Sequence, residues 1–233
     1  MEQPVAPKQR SPWVYVLLGC GGLAALICLG TALVGFLGVK AVKDVSDGVT
    51  DPETRSKNAI KQLGAIPEGY RVAASMSFFV AQTTILTDAP ELADGGFELS
   101  TASHTFTFFR VMANENNKKA RDFLSGKEPD PAALAQSGVN IDASDIVKRG
   151  NLTIDGRKFA WVTSRGVMQG TEGVKALQNA ILFECPGDAL HVGVWSQPDP
   201  APEKASPELD LTGTVADEAE LVRFLKPMNP CGR

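Results

Sequence analysis

Hydrophobic and polar positions divide the chain into one long uncharged run near its start and a remainder of mixed patterns. The run extends from Trp13 to Val39 and contains no charged residue. At ~1.5 Å per residue, a helix of this length spans ~40 Å, which exceeds the ~30 Å hydrocarbon core of a bilayer. Signal peptides have apolar regions of only ~7–15 residues. The pattern therefore predicts an uncleaved transmembrane helix over residues 13–39.

A lipoprotein signal is the alternative for this run. The segment Leu17–Cys20 is similar to a lipobox, in which the cysteine is lipidated and becomes the new N-terminus. The chain normally turns polar after such a cysteine, whereas residues 21–39 stay apolar here. This context favours the uncleaved helix.

A stripe of small residues at alternating spacings of three and four lies along the predicted helix. Such stripes let two helix backbones approach closely in lipid, which indicates a partner helix or a homodimer. Gly and Ala are also common in membrane helices generally, so a stripe without a partner is the alternative. The stripe consists of Gly21, Ala24, Cys28, Thr31, Gly35 and Gly38.

Flanking charges and cysteines bear on which side of the membrane the C-terminal part occupies. Lys and Arg are slightly more numerous after the run than before it, which favours a cytoplasmic C-terminal part. The short basic tail of residues 1–12 and the pair Cys185 and Cys231 favour the opposite side. We expect a single-pass protein of the cell membrane, the inner membrane if Gram-negative, with an extracytoplasmic domain.

The segment after the run is polar and permits helix, with Asp51-Pro52 as a break and a predicted helix over Glu53–Leu63. It is interpreted as a juxtamembrane stalk over residues 40–65. The domain is predicted to start with the turn Ile66–Tyr70 and to extend over residues 66–233.

Two hairpins can be placed from sequence alone. Asp155-Gly156 favours a two-residue turn, which puts Leu152 opposite Phe159. The residues predicted to share the core face of this first hairpin are Leu152, Ile154, Phe159 and Trp161.

In the second hairpin, Gly187-Asp188 is placed at the turn, which puts Phe183 opposite Val192 and Glu184 opposite His191. The residues predicted to share its core face are Ile181, Phe183, Cys185, Leu190, Val192 and Val194.

These hairpins and the segment 174–179 predict a four-strand antiparallel meander over residues 146–197. Further strands are predicted at Arg71–Val80 and His104–Met112. Capping residues and prolines predict helices over Asn114–Ser125, Pro131–Gln136 and Asp217–Lys226, and four prolines predict an exposed loop over residues 197–207. The predicted fold class is α+β, with an N-terminal transmembrane helix followed by one domain whose antiparallel sheet is flanked by helices.

The order of the predicted elements resembles the PsbP-like α/β/α sandwich of photosystem accessory proteins and of anchored or lipidated bacterial domains. The segments that carry this resemblance are IPEGY, GNLTIDGRKFAWV, ILFECPGDALHVGVW and DEAELVRFL. The resemblance covers residues 64–228 at the level of element order. It implies this fold and a role in binding or assembly, and the family has no shared catalytic residues to carry over.

Charge narrows the classes of partner. Three of the 23 Lys and Arg and one of the 27 Asp and Glu lie in residues 1–40, which leaves a net charge of −6 for the remainder. An acidic domain without an aromatic-interleaved basic patch argues against nucleic acid as a partner.

Cys185 and Cys231 form the candidate disulfide. Their bond closes a loop of about 47 residues, which the chain-entropy model values at on the order of 4 kcal/mol. Pro227 ends the last predicted helix and leaves a short tail before Cys231. Two free thiols are the alternative.

Glu184 and His191 are a weaker candidate pair, because a cross-strand Glu–His contact is usually a surface ion pair. Under the predicted register Cys185 and His191 point to opposite faces, which argues against a Cys–His nucleophile. The spacing of the two histidines and four cysteines predicts no metal site and no cofactor.

We therefore expect a membrane-anchored, non-enzymatic binding or envelope-assembly module, with a protein partner or a homodimer through the predicted helix. The alternative is a membrane-anchored hydrolase or redox enzyme that uses Cys185, His191 or Glu184. A pocket lined by His191, Glu184 and a third polar group is the observation that favours the enzyme.

Overall fold

The computed structural model describes residues 51–77, 81–92, 96–112, 114–128, 130, 145–167 and 174–232. Its helices are α1 (Pro52–Leu63), α2 (Glu115–Leu124) and α3 (Glu218–Leu225). Its strands are β1 (Arg71–Ser77), β2 (Ala81–Thr87), β3 (Thr105–Val111), β4 (Ile146–Ile154), β5 (Arg157–Val167), β6 (Lys175–Phe183) and β7 (Leu190–Pro198).

The described strands form one antiparallel sheet in the order β1-β2-β3-β7-β6-β5-β4. Strands β4 to β7 are neighbours in sequence and in space, so the predicted meander is confirmed. Strand β3 joins this meander by pairing with β7. Strand β2 was not predicted from the sequence, whereas the predicted β3 is confirmed.

The predicted fold class is wrong in its transmembrane helix. Along the stretches of chain that the structure describes, no helix has both the length and the apolar character needed to cross a membrane. The three helices have 12, 10 and 8 residues, against the ~20 that a spanning helix needs. The described residues form instead a seven-stranded antiparallel sheet with three α-helices. The run 13–39 lies outside the described residues, and so does its stripe: Gly21, Ala24, Cys28, Thr31, Gly35 and Gly38.

Helices lie on both faces of the sheet because strands β5 to β7 are apolar on both faces. Helices α1 and α3 pack on one face, named here the α1/α3 face, whose cluster includes Leu63, Phe106, Trp161, Ile181 and Phe224. Helix α2 packs on the other face, named the α2 face, through Phe123 and Leu124 against strands β5 to β7. Strands buried on both sides appear in sequence as continuous apolar runs.

The register of the first hairpin is confirmed. Leu152 pairs with Phe159, and the turn residues Asp155 and Gly156 have φ of 50° and 78°. Positive φ at both central residues is the conformation that Asp-Gly favours, and its twist matches that of the flanking strands. The turn alone therefore determined this register.

The register of the second hairpin is wrong by one residue. Val192 pairs with Leu182, not with Phe183. The chain leaves the sheet after Phe183, where the Glu184 amide donates to the Lys158 carbonyl of β5. A shift of one residue exchanges the two faces of a strand. Ile181 and Phe183 accordingly lie on the α1/α3 face, and Leu182 and Val192 on the α2 face.

Helix α1 confirms the prediction over Glu53–Leu63. The Asp51 side chain caps it by accepting from the Thr54 amide at 2.9 Å, and Gly64 ends it at a φ of 81°. Ala59 and Leu63 have no exposed area and pack against the sheet. Residues 52–63 of the predicted stalk thus pack into the domain core, while residues 40–50 lie outside the described residues.

The other predicted helices differ in outcome. Helix α2 begins after an Asn114 cap and is followed by Gly126 at a φ of 79°, and α3 begins after an Asp217 cap, so both are confirmed. The helix predicted over Pro131–Gln136 lies outside the described residues. The proline-rich loop is exposed at residues 202–205, but Asp199 at its start is buried against Arg165, 2.9 Å away.

The disulfide between Cys185 and Cys231 is confirmed, with α-carbons 5.0 Å apart. It ties the tail after α3 to the end of β6. Arg157 adds two hydrogen bonds to the same tail, donating to the carbonyls of Met228 and Lys226. The C-terminal end of α3 is therefore held at the sheet by a covalent bond and by a charged side chain.

Candidate functional site

An open groove of about 1150 Å³ lies on the α1/α3 face, between the turn of residues 66–70, the end of β7 and helix α3. We call it the aromatic groove. Its polar and aromatic lining side chains are Glu68, Tyr70, Asp88, His104, Asp155, Trp195, Glu220, Arg223, Phe224 and Lys226.

Three aromatic rings form the floor of this groove. Trp195 stacks on Phe224 with ring centroids 4.2 Å apart and planes at 6°. Tyr70 meets Phe224 edge to face at 5.0 Å. The observed register of β7 turns Trp195 toward the α1/α3 face, and Phe224 comes from the buried side of α3. Trp195 and Phe224 are each only 4 % exposed, so they form a rigid apolar base.

Tyr70 supplies a hydrogen-bond donor at the groove. The indole Nε1 of Trp195 donates to the Tyr70 hydroxyl oxygen at 2.8 Å, which leaves the hydroxyl proton free to be donated. Burial raises the pKa of Tyr70 well above its usual value of 10.0. The hydroxyl therefore stays protonated at any physiological pH.

Asp88 and His104 supply an oriented imidazole. The two residues follow β2 and precede β3, and the Asp88 carboxylate accepts from the His104 amide and from its ring Nδ1, both at 2.9 Å. A carboxylate only accepts, so Nδ1 carries a proton, and in the neutral tautomer this leaves Nε2 as an acceptor. The ring lies 5.9 Å from Trp195, so Tyr70 and His104 both contact the same indole.

Charged side chains surround the aromatic floor. Glu220 and Arg223 form an ion pair on one exposed side of α3. Glu68 and Asp155 are exposed carboxylates from the two turns that border the groove, and Lys226 follows the end of α3. Together with Asp88, the groove has four carboxylates against two permanent cations.

The Asp217 cap positions α3 beside the groove. Its carboxylate accepts from the Gly213 and Ala219 amides at 2.8 and 2.9 Å. These backbone hydrogen bonds lower the pKa of Asp217. An ionised cap also interacts favourably with the helix dipole, so this carboxylate fixes the start of α3.

The structure does not bring the predicted catalytic alternatives together at the groove. Cys185 is bonded to Cys231, so its thiol is not available as a nucleophile. Glu184 is exposed beyond the end of β6. The observed register does not place it opposite His191, and the predicted cross-strand pair is wrong.

His191 lies on the α1/α3 face, 5 % exposed, with its ring 6.3 Å from that of Phe108. Burial lowers the pKa of His191, as do the nearby Arg110 and Arg121, while its hydrogen bond to the Ala189 carbonyl raises it. The predicted placement of Cys185 and His191 on opposite faces depended on the wrong register. A Cys–His nucleophile is excluded instead by the disulfide, because the Cys185 sulfur is bonded to Cys231.

Sequence reasoning missed the groove residues because they meet only through the fold. The turn at residues 66–70 marks the domain entry in the sequence, but no sequence pattern connects Tyr70 to Trp195, 125 positions away. Asp88 and His104 flank the connection between β2 and β3, and antiparallel pairing of these strands brings them together. A prediction of β2 from the sequence is the signal that could have brought Asp88 and His104 together.

Neither metal ligands nor known relatives identify a function for this protein. Among the residues that the structure describes, no group of three or more His, Cys, Asp and Glu side chains is placed to hold a metal ion. No protein-family model matches the chain, and no curated protein matches its sequence. The PsbP-like resemblance thus stays a prediction.

Proposed function

We propose that this protein is a non-enzymatic binding module that holds an extended segment of a partner protein in the aromatic groove. The observation that carries the proposal is that one donor, the Tyr70 hydroxyl, and the His104 ring, whose Nε2 is an acceptor in the neutral form, both contact the same buried indole. A peptide group has one acceptor and one donor of its own. The groove therefore offers complementary polar contacts above an apolar floor, as ligand sites commonly do.

The charges of the groove favour a basic partner segment. Its four carboxylates outnumber Arg223 and Lys226. Because the Arg223–Glu220 ion pair removes one charge of each sign, three carboxylates remain against Lys226. The chain beyond residue 40 has a net charge of −6. Complementary charge speeds encounter and excludes wrong partners. We therefore expect the bound segment to have an apolar side chain next to Lys or Arg.

The chemistry of the groove supports binding over covalent catalysis. No Ser, Thr or Cys is among the described residues that line it. The enzyme alternative that uses Cys185 would also require reduction of its disulfide. His104 and Asp88 form an oriented pair, but without a neighbouring nucleophile the pair serves as a fixed hydrogen-bond acceptor.

The proposed place of action is outside the cytoplasm at the cell membrane. The disulfide supports an oxidising compartment, because such bonds are rare in reducing cytosol. The uncharged run of residues 13–39 supports a location at the membrane. A partner or homodimer through this run is a proposal from sequence, as is the exclusion of nucleic acid by the acidic charge.

The test selects displayed peptides of random sequence for binding to the full chain in uncharged detergent. The affinity of the full chain for the selected peptides is then measured. We expect enrichment of peptides with an apolar residue beside Lys or Arg. Glu68→Lys should weaken their binding by roughly five- to tenfold, since it reverses a charge at the rim. Glu203→Lys, the same change in the exposed proline-rich loop, is the matched control and should leave the affinity unchanged.

Two results would contradict the proposal. One is a selection without enrichment of Lys and Arg, and the other is equal binding of the selected peptides by Glu68→Lys and Glu203→Lys. Glu68 and Glu203 are both exposed, so neither substitution is expected to alter folding.

A further inference from the structure

A second, smaller cavity of about 320 Å³ lies on the same face of the sheet, at the other helix. We call it the polar pocket. Helix α1 contributes Asn58, Lys61 and Gln62, and strands β1 to β3 contribute Ser77, Gln82 and Arg110. Ser77 pairs with Gln82, and Gln82 with Arg110, so these three side chains form one cross-strand row. No residue lines both this pocket and the aromatic groove.

A buried hydrogen-bond network fixes the wall of the pocket. Gln62, 6 % exposed, accepts through Oε1 from the Thr84 hydroxyl at 2.7 Å. Its Nε2 donates to the Met76 carbonyl at 3.2 Å and to the Ser77 hydroxyl oxygen at 3.3 Å. Ser75 completes the network with a 2.9 Å hydrogen bond to Thr84. Both ends of the Gln62 amide are therefore fixed by partners.

This network leaves donors available to the pocket. The Ser77 oxygen already accepts from Gln62, so the Ser77 hydroxyl proton is free to be donated. The Gln82 Oε1 accepts from Arg110 across a long 3.5 Å contact, which leaves the Gln82 amide NH₂ as a donor. Lys61 and Arg110 are exposed and add two positive charges.

From this arrangement we infer that the polar pocket is a binding site for a phosphate group, either free phosphate or the phosphomonoester of a head group. No Asp or Glu is among its described lining residues, although the domain as a whole is acidic. An Arg guanidinium matches phosphate geometry with two parallel donors, and Lys adds a point charge. The volume equals that of about ten waters at ~30 Å³ each, which leaves room for a small group attached to the phosphate.

Calorimetric titration of the full chain in uncharged detergent tests this inference. One arm uses inorganic phosphate and the other uses glycerol phosphate, with sodium chloride at matched ionic strength as the reference. We expect saturable binding of phosphate that chloride does not reproduce. Tighter binding of glycerol phosphate indicates a lipid head group as the source, and tighter binding of inorganic phosphate indicates free phosphate.

Variants locate the site. Arg110→Gln and Lys61→Gln should each weaken phosphate binding, Arg110→Gln by about tenfold because it removes a charged two-donor contact. Lys57→Gln, on the same helix as Lys61 but outside the pocket, also removes one positive charge. This control should bind phosphate with the same affinity as the unaltered chain. All three side chains are exposed, and unchanged thermal unfolding shows that each variant is folded. Equal phosphate affinity for Arg110→Gln and Lys57→Gln, or displacement by chloride, would overturn the inference.

Discussion

Helices α1 and α3 lie on the same face of one sheet but are held there by different chemistry. Helix α3 packs through Phe224, which stacks on Trp195 and meets Phe106 edge to face at 5.0 Å. Helix α1 packs through Ala59 and Leu63, and also through the Gln62 network. Apolar packing is non-directional, whereas a buried network requires each donor and acceptor to be matched.

The cavity beside each helix has the chemistry of that helix's contact with the sheet. The aromatic groove has a floor of rings because α3 packs through rings. The polar pocket has oriented donors because the Gln62 network extends to Ser77 at its edge. One sheet face thus has two cavities of different chemistry because its two covering helices are anchored differently.

The largest effect is expected at α3. Phe224→Ala removes a ring that contacts Trp195, Tyr70 and Phe106, and should lower the free energy of unfolding by about 3–5 kcal/mol. Val222→Ala on the same helix is the control, because Val222 is 37 % exposed, and it should cost less than about 1 kcal/mol. Urea unfolding followed by circular dichroism measures both. Similar losses for the two variants would show that the ring contacts do not hold α3.

The disulfide gives the second effect, because it ties the tail after α3 to the sheet. Replacing Cys185 and Cys231 together by Ser should lower the free energy of unfolding by about 2–4 kcal/mol. Reduction of the unaltered chain should reproduce this loss, and a reducing agent should add nothing further to the double variant. An undiminished stability after verified reduction would show that Arg157 and packing alone hold the tail.

A smaller effect is expected at α1. Gln62→Ala leaves Thr84 without its acceptor and should lower the free energy of unfolding by about 1–3 kcal/mol. Thr84→Val in the same chain removes the orphaned hydroxyl, so the double variant should lose less than the sum of the two single losses by at least ~0.5 kcal/mol. Additive losses in this double-mutant cycle would contradict a coupled network.

The smallest effect concerns pH. Burial lowers the pKa of His191 below the 6.5 of the unfolded chain. As the pH falls through 6.5 toward the lower folded pKa, the unfolded state therefore binds more protons, and stability is lost. The caps Asp51 and Asp217, whose pKa values are lowered from 3.8, lose their contribution only in more acidic solution.

His191→Gln should therefore flatten the stability profile just below pH 6.5, measured by urea unfolding at closely spaced pH values. The difference between the unaltered chain and this variant isolates His191 from the other titrating groups. Identical slopes for the two proteins in this window would contradict a neutral, buried His191.

Local chemistry in the sequence determined the elements that depend on neighbouring residues. Asp155-Gly156 determined the first hairpin, because its residues adopt the positive φ that the tight turn requires. Asp51, Asn114 and Asp217 determined where the three described helices begin, because each side chain caps free amides of its own first turn. The cysteine pair and the short tail after Pro227 predicted the disulfide, which the structure confirms.

The tertiary structure decided what depends on two buried faces or on distant residues. In β6 and β7 nearly every residue is buried, so hydrophobic alternation did not distinguish one face from the other, and the predicted register slipped by one residue. The aromatic groove joins Tyr70, Trp195 and Phe224 from three separate elements. The buried network behind the polar pocket likewise joins Gln62 of a helix to Thr84 of a strand. The sequence indicates which side chains prefer to be buried, but only the packing decides which of them meet. An apolar side chain is stabilised by burial against many different neighbours. Ring stacking and hydrogen bonds, in contrast, need particular partners in a particular geometry.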